Sequence, residues 1–284
     1  MNNELYQALI SRHSTRRFDT HPLAEGTLKR IQDLAATVEP LIPENRYTVM
    51  IRDVTTVEDL VQALGAYGRL LSPPHFMVPY VVGEAHSLED LGYRTQQLVM
   101  QMMLLDLGAC YIGSLGRETT LRARFILRRE ARLGAVVIFG RPAVDLGNRT
   151  VDGVMRRMVG STHRLPIAEL FYTKSFDQPS APPEAVLPLI EAARRAPSAL
   201  NAQPWRFFWR KGELFLFTLR ENPRYGKGVL QDYRFFDAGL CMASVRLALK
   251  SQGRQGSWQL LTGEERDLPK YPPTLAPVAK ILLA

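Results

Sequence analysis

Cysteine is scarce in this sequence, with only Cys110 and Cys241 among 284 residues. Neither belongs to a Cys-x-x-Cys pair or lies at a ligand spacing from a histidine, so neither a disulfide framework nor a zinc site is expected. Both lie in apolar surroundings, which predicts buried thiols. The five histidines are scattered, and no two of them are three or four positions apart. We therefore expect no metal site.

Long apolar runs are also absent. The most apolar stretch, Leu98 to Leu105, contains Gln101 and is far shorter than the roughly 20 residues that cross a bilayer. Met1 to Leu9 show no basic stretch followed by an apolar run, unlike a signal peptide. Apolar content of 46% and charged content of 23% are ordinary for a globular chain. We expect a soluble, cytoplasmic protein without a membrane partner.

Acidic residues are too few to balance the basic ones, 28 against 36, which leaves a net charge of +8. Such an excess suits nucleic acid, an anionic membrane surface or a phosphorylated small molecule. The basic residues concentrate at Arg12 to Arg17, Arg117 to Arg132 and Arg156 to Arg164. No zinc finger, RNP-like or helix-turn-helix pattern accompanies them, so a nucleic-acid partner is not expected. The middle cluster suggests a solvated face, and the outer two suggest phosphate capture.

Two segments about 180 residues apart carry the strongest chemical signal. Arg12 to Phe18 offers two guanidiniums, a hydroxyl and an imidazole within five residues, which suits a phosphate and a polyhydroxyl chain. Ala196 to Phe207 offers Ser198, Asn201 and Gln203 beside a Pro-Trp corner. Singly, either segment could be only a capped helix end. Together they suggest one binding site.

The periodicity predicts an α+β protein with helices packed on mixed β-sheets. Long apolar helices are expected at about Leu88 to Leu107 and Phe235 to Ser251, and Ala143 to Thr162 is expected to be a crossover. The strands are predicted from β-branched or aromatic runs bounded by Gly and Pro: Tyr47 to Ile51, Ala135 to Phe139, Arg206 to Trp209, Leu214 to Leu219 and Val278 to Leu283.

The chain also resembles itself. A shift of 157 places Ala35 to Pro40 on Ala192 to Pro197, and a shift of 147 places Asp90 on Asp237. The same shift of 147 brings two helix glycines into register, Gly92 and Gly239. These matches predict two degenerate tandem halves, residues 1–165 and 166–284, that form one compact unit.

The two halves have lost complementary parts. The second half no longer has the basic motif, because Leu170, Tyr172 and Lys174 stand at the positions of Arg12, Ser14 and Arg16. The first half no longer has the loop motif, because Leu41, Glu44 and Arg46 stand at the positions of Ser198, Asn201 and Gln203. Each half keeps what the other lacks, which favours one composite site in place of two.

These motifs resemble those of the nitroreductase superfamily of FMN enzymes, and most closely a branch in which two nitroreductase halves are fused in one chain. The resemblance rests on five segments in compatible order: Arg12 to Asp19, Leu107 to Gly113, Val136 to Pro142, His163 to Leu170 and Ala196 to Phe207. It implies a nitroreductase-like fold in which the two halves form an intramolecular pseudo-dimer. A monomer with one FMN between the halves is therefore expected.

The resemblance also implies which residues hold FMN. Arg12 and Arg16 would meet the phosphate and the polar edge of the flavin, Ser14 the ribityl chain or phosphate, and His13 would cover the adjacent chain. The loop residues that would approach from the opposite side are Pro197, Ser198 and Asn201.

Two further roles follow from the same resemblance. Ile112 and Gly113 match a turn whose backbone N–H faces flavin N5. Arg164 occupies a position where the family places a phosphate ligand, although Arg156 or Arg157 could take its place.

The implied activity is transfer of hydride from NAD(P)H through flavin N5 to a small organic acceptor, such as a nitroaromatic or a quinone. No side chain is expected to act as a nucleophile or metal ligand. The acceptor and the choice between NADH and NADPH stay open, although Val54 to Phe76 and Arg220 to Tyr233 are candidates for the segments over the flavin. The alternative is a degenerate flavin-binding or flavin-less protein with a binding or scaffold role.

Overall fold

Two β-sheets flank a central pair of helices in the computed structural model, which describes residues 3–143 and 163–283. The first sheet has the strand order β1-β2-β4-β3, and each neighbouring pair is antiparallel. Its strands are β1 (Arg46–Asp53), β2 (His75–Val82), β3 (Gly108–Gly113) and β4 (Ala135–Gly140).

The second sheet has the order β5-β6-β7-β9-β8, and only its β5–β6 pair is parallel. Its strands are β5 (Phe171–Tyr172), β6 (Trp205–Arg210), β7 (Glu213–Leu219), β8 (Trp258–Leu260) and β9 (Leu275–Leu282). If β5 is set aside, both sheets share one strand order, in which the fourth strand lies between the second and the third.

Seven α-helices are found among the described residues: α1 (Asn3–Ser11), α2 (Glu25–Thr37), α3 (Val57–Leu64), α4 (Ser87–Met103), α5 (Glu118–Arg124), α6 (Leu187–Arg195) and α7 (Tyr233–Ser251). The start of α3 is fixed by a capping box, because the Thr56 hydroxyl accepts the Asp59 N–H and Asp59 accepts the Thr56 N–H. Within the described part of the chain, no helix is long and apolar enough to cross a membrane.

The two long helices, α4 and α7, cross at a pair of glycines. A Cβ atom at Gly92 would lie 2.2 Å from the Phe236 carbonyl oxygen, and one at Gly239 would lie 2.1 Å from the Glu89 carbonyl oxygen. Each helix therefore needs glycine where it meets the backbone of the other. As a result, both helices have buried residues on nearly every side.

The α+β class is as predicted, and both long helices and all five predicted strands are present with small changes of boundary. Helix α4 ends earlier than expected, because Asp106 adopts a left-handed conformation (φ 58°) and Leu107 N–H bonds back to Met102. Among the described residues, parallel pairing is confined to the second sheet. Of the crossover predicted for Ala143 to Thr162, residues 144–162 lie outside the described residues, and Arg156 and Arg157 are among them.

Candidate functional site

One cavity of about 470 Å³ opens between the end of α1, strand β3, the loop after α6 and the first turns of α7. This volume is within the usual range of small-molecule pockets. Its lining includes all ten residues that the sequence nominated: Arg12, His13, Ser14, Arg16, Ile112, Gly113, Arg164, Pro197, Ser198 and Asn201.

The segment after α1 is held against β3. The Thr15 N–H donates to the Ala109 carbonyl at 3.0 Å, and the Thr15 side chain packs where Gly108 has none. Phe18 is buried and forms an isolated β-bridge with Pro142. These contacts fix the backbone on both sides of Arg12 to Arg16, so that the segment lines the cavity as a defined surface.

The loop after α6 is shaped by three left-handed residues. Leu200, Asn201 and Gln203 have φ values of 50°, 54° and 46°. A non-glycine residue in this region costs about 1 kcal/mol or more, so the surroundings must hold the loop in place. The Gln203 N–H donates to the Ser198 hydroxyl at 3.0 Å, and the Ala199 N–H donates to the Asp237 carboxyl.

The same loop is bound to the residues that follow the undescribed segment. The Asn201 side-chain amide donates to the His163 carbonyl at 2.7 Å, and the Gln203 amide donates to the same oxygen at 3.2 Å. The Leu165 N–H donates to the Gln203 side-chain oxygen at 3.0 Å. Arg164 is thereby placed beside Asn201, to whose side-chain oxygen it donates at 3.0 Å.

Two guanidinium groups in the cavity, those of Arg12 and Arg164, donate to uncharged oxygens among the described residues. Arg12 is buried and donates to the Arg195 carbonyl at 3.2 Å, a contact across 183 positions of the chain. Arg164 donates to Ala196 O and Asn201 Oδ1, so none of these acceptors is a carboxylate. Burial, followed by repulsion from Arg12, Arg195 and Arg194, lowers the pKa of Arg164 to about 9. A bound anion would relieve both costs.

Ile112 and Gly113 are the last two residues of β3, and Gly113 is exposed to the cavity. A Cβ atom at Gly113 would lie 2.3 Å from the hydroxyl oxygen of Tyr233. That hydroxyl accepts the Leu115 N–H at 3.1 Å. Glycine at this position therefore makes room for the Tyr233 hydroxyl, and Gly113 itself lines the cavity.

Several lining residues were not nominated from the sequence: Arg195, Tyr225, Tyr233, Phe236 and Asp237. Asp237 is fully buried, and burial raises its pKa to about 8. The 147-residue repeat did mark Asp237 as the counterpart of Asp90, but the repeat carried no information about a cavity. The segments Val54 to Phe76 and Arg220 to Tyr233 do contribute lining residues, Tyr67 from the first and Tyr225, Leu230 and Tyr233 from the second.

Both cysteines are buried, and the described residues contain no group of three or more His, Cys, Asp or Glu side chains that could hold a metal ion. Trp205 and Phe207 are fully buried in the core against α6 and α7. The aromatic residues of the Pro-Trp corner therefore support the loop from beneath.

The two helix-covered sheets define an α+β protein, and its cavity between β3, the loop after α6 and the start of α7 has the size of a small-molecule site. The family described as "Putative TM nitroreductase" matches residues 4–248. The chain is a member of this nitroreductase family. No curated protein matches it in sequence.

Among the solved structures that resemble this chain, one of full length shares its fold. The "putative nitroreductase" of Thermotoga maritima is 19% identical, with a TM-score of 0.57 over 100% of this chain and 93% of the other. An FMN-dependent nitroreductase from Clostridium difficile is 15% identical and aligns with 53% of this chain and 94% of its own, with a TM-score of 0.41. An NADPH:FMN oxidoreductase from Vibrio harveyi is 16% identical and aligns with 56% of this chain and 85% of its own, with a TM-score of 0.42.

Proposed function

We propose that this protein is an FMN-dependent oxidoreductase that passes hydride from NAD(P)H to a small organic acceptor. The observation that carries the proposal is the meeting of two distant motifs at one cavity, where Arg12 reaches the Arg195 carbonyl beside the Ser198 loop. Membership of the nitroreductase family supports the same reaction class.

The residues present fit FMN. Its phosphate needs cationic donors, and Arg12, Arg16 and Arg164 all line the cavity. Its ribityl hydroxyls need small polar partners, which Ser14, Ser198 and Asn201 supply. Its ring needs a flat approach to backbone, and the exposed Gly113 at the end of β3 lines the cavity.

Bound FMN would supply the two-electron redox chemistry. The side chains of this protein then bind and orient: the guanidiniums neutralise the phosphate, and the strained Ser198 loop forms a preorganised wall. The backbone at Gly113 would face the bound ring, where an N–H can stabilise negative charge. The nicotinamide donor and the acceptor would occupy the remaining space in turn.

We further propose that residues 1–165 and 166–284 are two halves of an internal pseudo-dimer, and that the protein acts as a cytoplasmic monomer. The shared strand order of the two sheets supports this proposal. So does the reciprocal contact in which Gly92 meets the backbone of α7 and Gly239 meets that of α4.

The decisive experiment is to purify the protein, record its absorbance spectrum and measure FMN affinity for three variants. Arg12→Ala and Asn201→Ala, one from each motif, should each raise the Kd for FMN by about 10-fold to 100-fold, because each removes a hydrogen bond worth roughly 1.5–3 kcal/mol. Arg128→Ala, the same change at an exposed position outside the cavity, should leave the Kd unchanged. A colourless wild-type protein that does not bind added FMN would instead favour the flavin-less binding or scaffold role.

A further inference from the structure

Asp237 differs from its counterpart in the first half of the chain. Asp90 is fully buried and accepts the N–H groups of Leu41 and Ile42, and the Arg94 guanidinium contacts both of its carboxylate oxygens at 3.0 Å. Asp237 is equally buried and accepts the Ala199 N–H, but Cys241 stands where an arginine would follow four residues later. The cavity has therefore kept a buried acid that has no cationic partner among residues 3–143 and 163–283.

An uncompensated buried carboxylate is costly, and such groups concentrate at functional sites. In place of a cation, Asp237 has Tyr225, whose hydroxyl donates to Asp237 Oδ2 at 2.7 Å. Both side chains line the cavity. Burial raises the pKa of Asp237 to about 8, and burial together with the Asp237 charge raises the pKa of Tyr225 well above its usual value. Both groups therefore hold their protons at neutral pH.

The other titratable groups near the pair leave Asp237 without a cationic partner among the described residues. Tyr233 and Cys241 lie on the same helix, and the Asp237 charge raises the pKa of each of them after the larger effect of burial. The charge of Arg234 opposes the rise in the pKa of Tyr225, and the charge of Glu118 in α5 adds to the rise in the pKa of Tyr233. From α4, the backbone of Glu89 touches Gly239, while the Glu89 carboxylate is bound by His86 at 3.1 Å.

We propose that Tyr225 and Asp237 deliver the proton that accompanies hydride reduction of the acceptor, with Tyr225 as the donor in the cavity and Asp237 as its proton store. This inference rests on the proposed flavin-dependent function.

The step balances as follows. The acceptor, a quinone for example, receives hydride that originates from the nicotinamide donor and becomes an anion. The Tyr225 O–H bond breaks and its proton forms a new O–H bond on that anion. Once Tyr225 has turned its O–H from Asp237 to the acceptor, the protonated Asp237 becomes the donor across the same 2.7 Å contact, and its O–H bond breaks as its proton restores the phenol. The carboxylate that results regains a proton from water before the next cycle.

Two acceptors separate proton delivery from simple structural support. Menadione needs a proton as well as hydride, whereas ferricyanide takes electrons and binds no proton. Asp237→Asn keeps an oxygen that can accept the Ala199 N–H, and Tyr225→Phe keeps the ring, so both variants should retain FMN. With limiting acceptor, both should lower kcat/KM for menadione by about 100-fold, the lower range for a positioned acid, while the ferricyanide rate holds.

Tyr233→Phe is the matched control, since it removes a cavity hydroxyl that contacts the Leu115 N–H and no acid. It should keep the wild-type ratio of menadione to ferricyanide rates. An equal fall with both acceptors in Asp237→Asn and Tyr225→Phe, or no fall with either, overturns the proton-delivery role. Wild-type protein that holds no FMN overturns the proposed function itself, and this is seen before any rate is measured.

A second readout needs no activity. Between pH 4 and pH 8 the folded protein holds a proton on Asp237 that the unfolded chain has released, so raising the pH favours unfolding. Urea titrations at pH 5 and pH 8 give the free energy of unfolding at each pH. From pH 5 to pH 8 this free energy should fall more in the wild-type protein than in Asp237→Asn. Equal slopes would mean that Asp237 stores no proton, which contradicts the proposal.

Discussion

Gly113 ends β3 without a side chain, and this absence serves two neighbours. It leaves room for the Tyr233 hydroxyl, which accepts the Leu115 N–H, and it leaves strand backbone bare beside the cavity. A single added methyl group would disturb both, since the nearest atom would be 2.3 Å away.

Gly113→Ala should therefore destabilise the protein by about 1–3 kcal/mol, the usual cost of overpacking. Tyr233→Phe removes the atom that clashes most severely, so the double variant should recover part of this loss. Urea unfolding of the wild type, both single variants and the double variant gives the coupling free energy. Strictly additive losses would mean that Tyr233 is not what Gly113 accommodates.

The sequence predicted the lining of the cavity where chemistry was dense within a short segment. Arg12 to Arg16 and Ser198 to Asn201 combine charged and polar groups that few structural roles require together. Tyr225 and Asp237 could not be predicted in this way, because their proximity depends on the turn before α7. A lone tyrosine or aspartate in a helical pattern is usually packing or surface.

At the level of secondary structure, the crossing of α4 and α7 depends on contacts between backbones. Side chains can rotate away from an added methyl group, but the Phe236 and Glu89 carbonyl oxygens cannot move without shifting a helix. Gly92→Ala and Gly239→Ala should each lower the free energy of unfolding by about 1–3 kcal/mol, despite the better helix propensity of alanine.

Thermal unfolding measures this effect, with Gly26→Ala as the control. Gly26 also lies in a helix, but an added Cβ there meets nothing within 4 Å. That variant should be neutral or slightly more stable, since alanine favours helix. If all three variants unfold at the same temperature, the two long helices do not pack as closely as described.

Four strands were not among those predicted from the sequence, namely β2, β3, β5 and β8, and for β2 and β5 the structure shows a physical reason. Strand β2 contains Pro79, and a proline within an apolar run normally argues against a strand. Its pairing with β4 covers only His75 to Met77, and a separate bridge joins Val81 to Arg132, so Pro79 lies between the two. Strand β5 has only two residues, and its parallel pairing with β6 is not encoded by any local pattern. Each strand that was predicted has at least one antiparallel neighbour and is an apolar run bounded by turn residues.

For the whole molecule, the proposed composite site leads to a count. One cavity that uses the basic motif of one half and the loop of the other should hold one FMN per chain. Absorbance against protein concentration should give a ratio near one, and light scattering should give the mass of a single chain. A ratio of two, or FMN held between two chains, would contradict the internal pseudo-dimer.

The residues that line the cavity are spread along the chain from Ser11 to Leu240. A chain that is still being synthesised has no such cavity until Leu240 has been added. A protein truncated before α7 would keep the Arg12 segment and the Ser198 loop but would lack the helix that holds that loop through Ala199. Ligand binding in this cavity therefore distinguishes a chain that contains α7 from one that was interrupted before it.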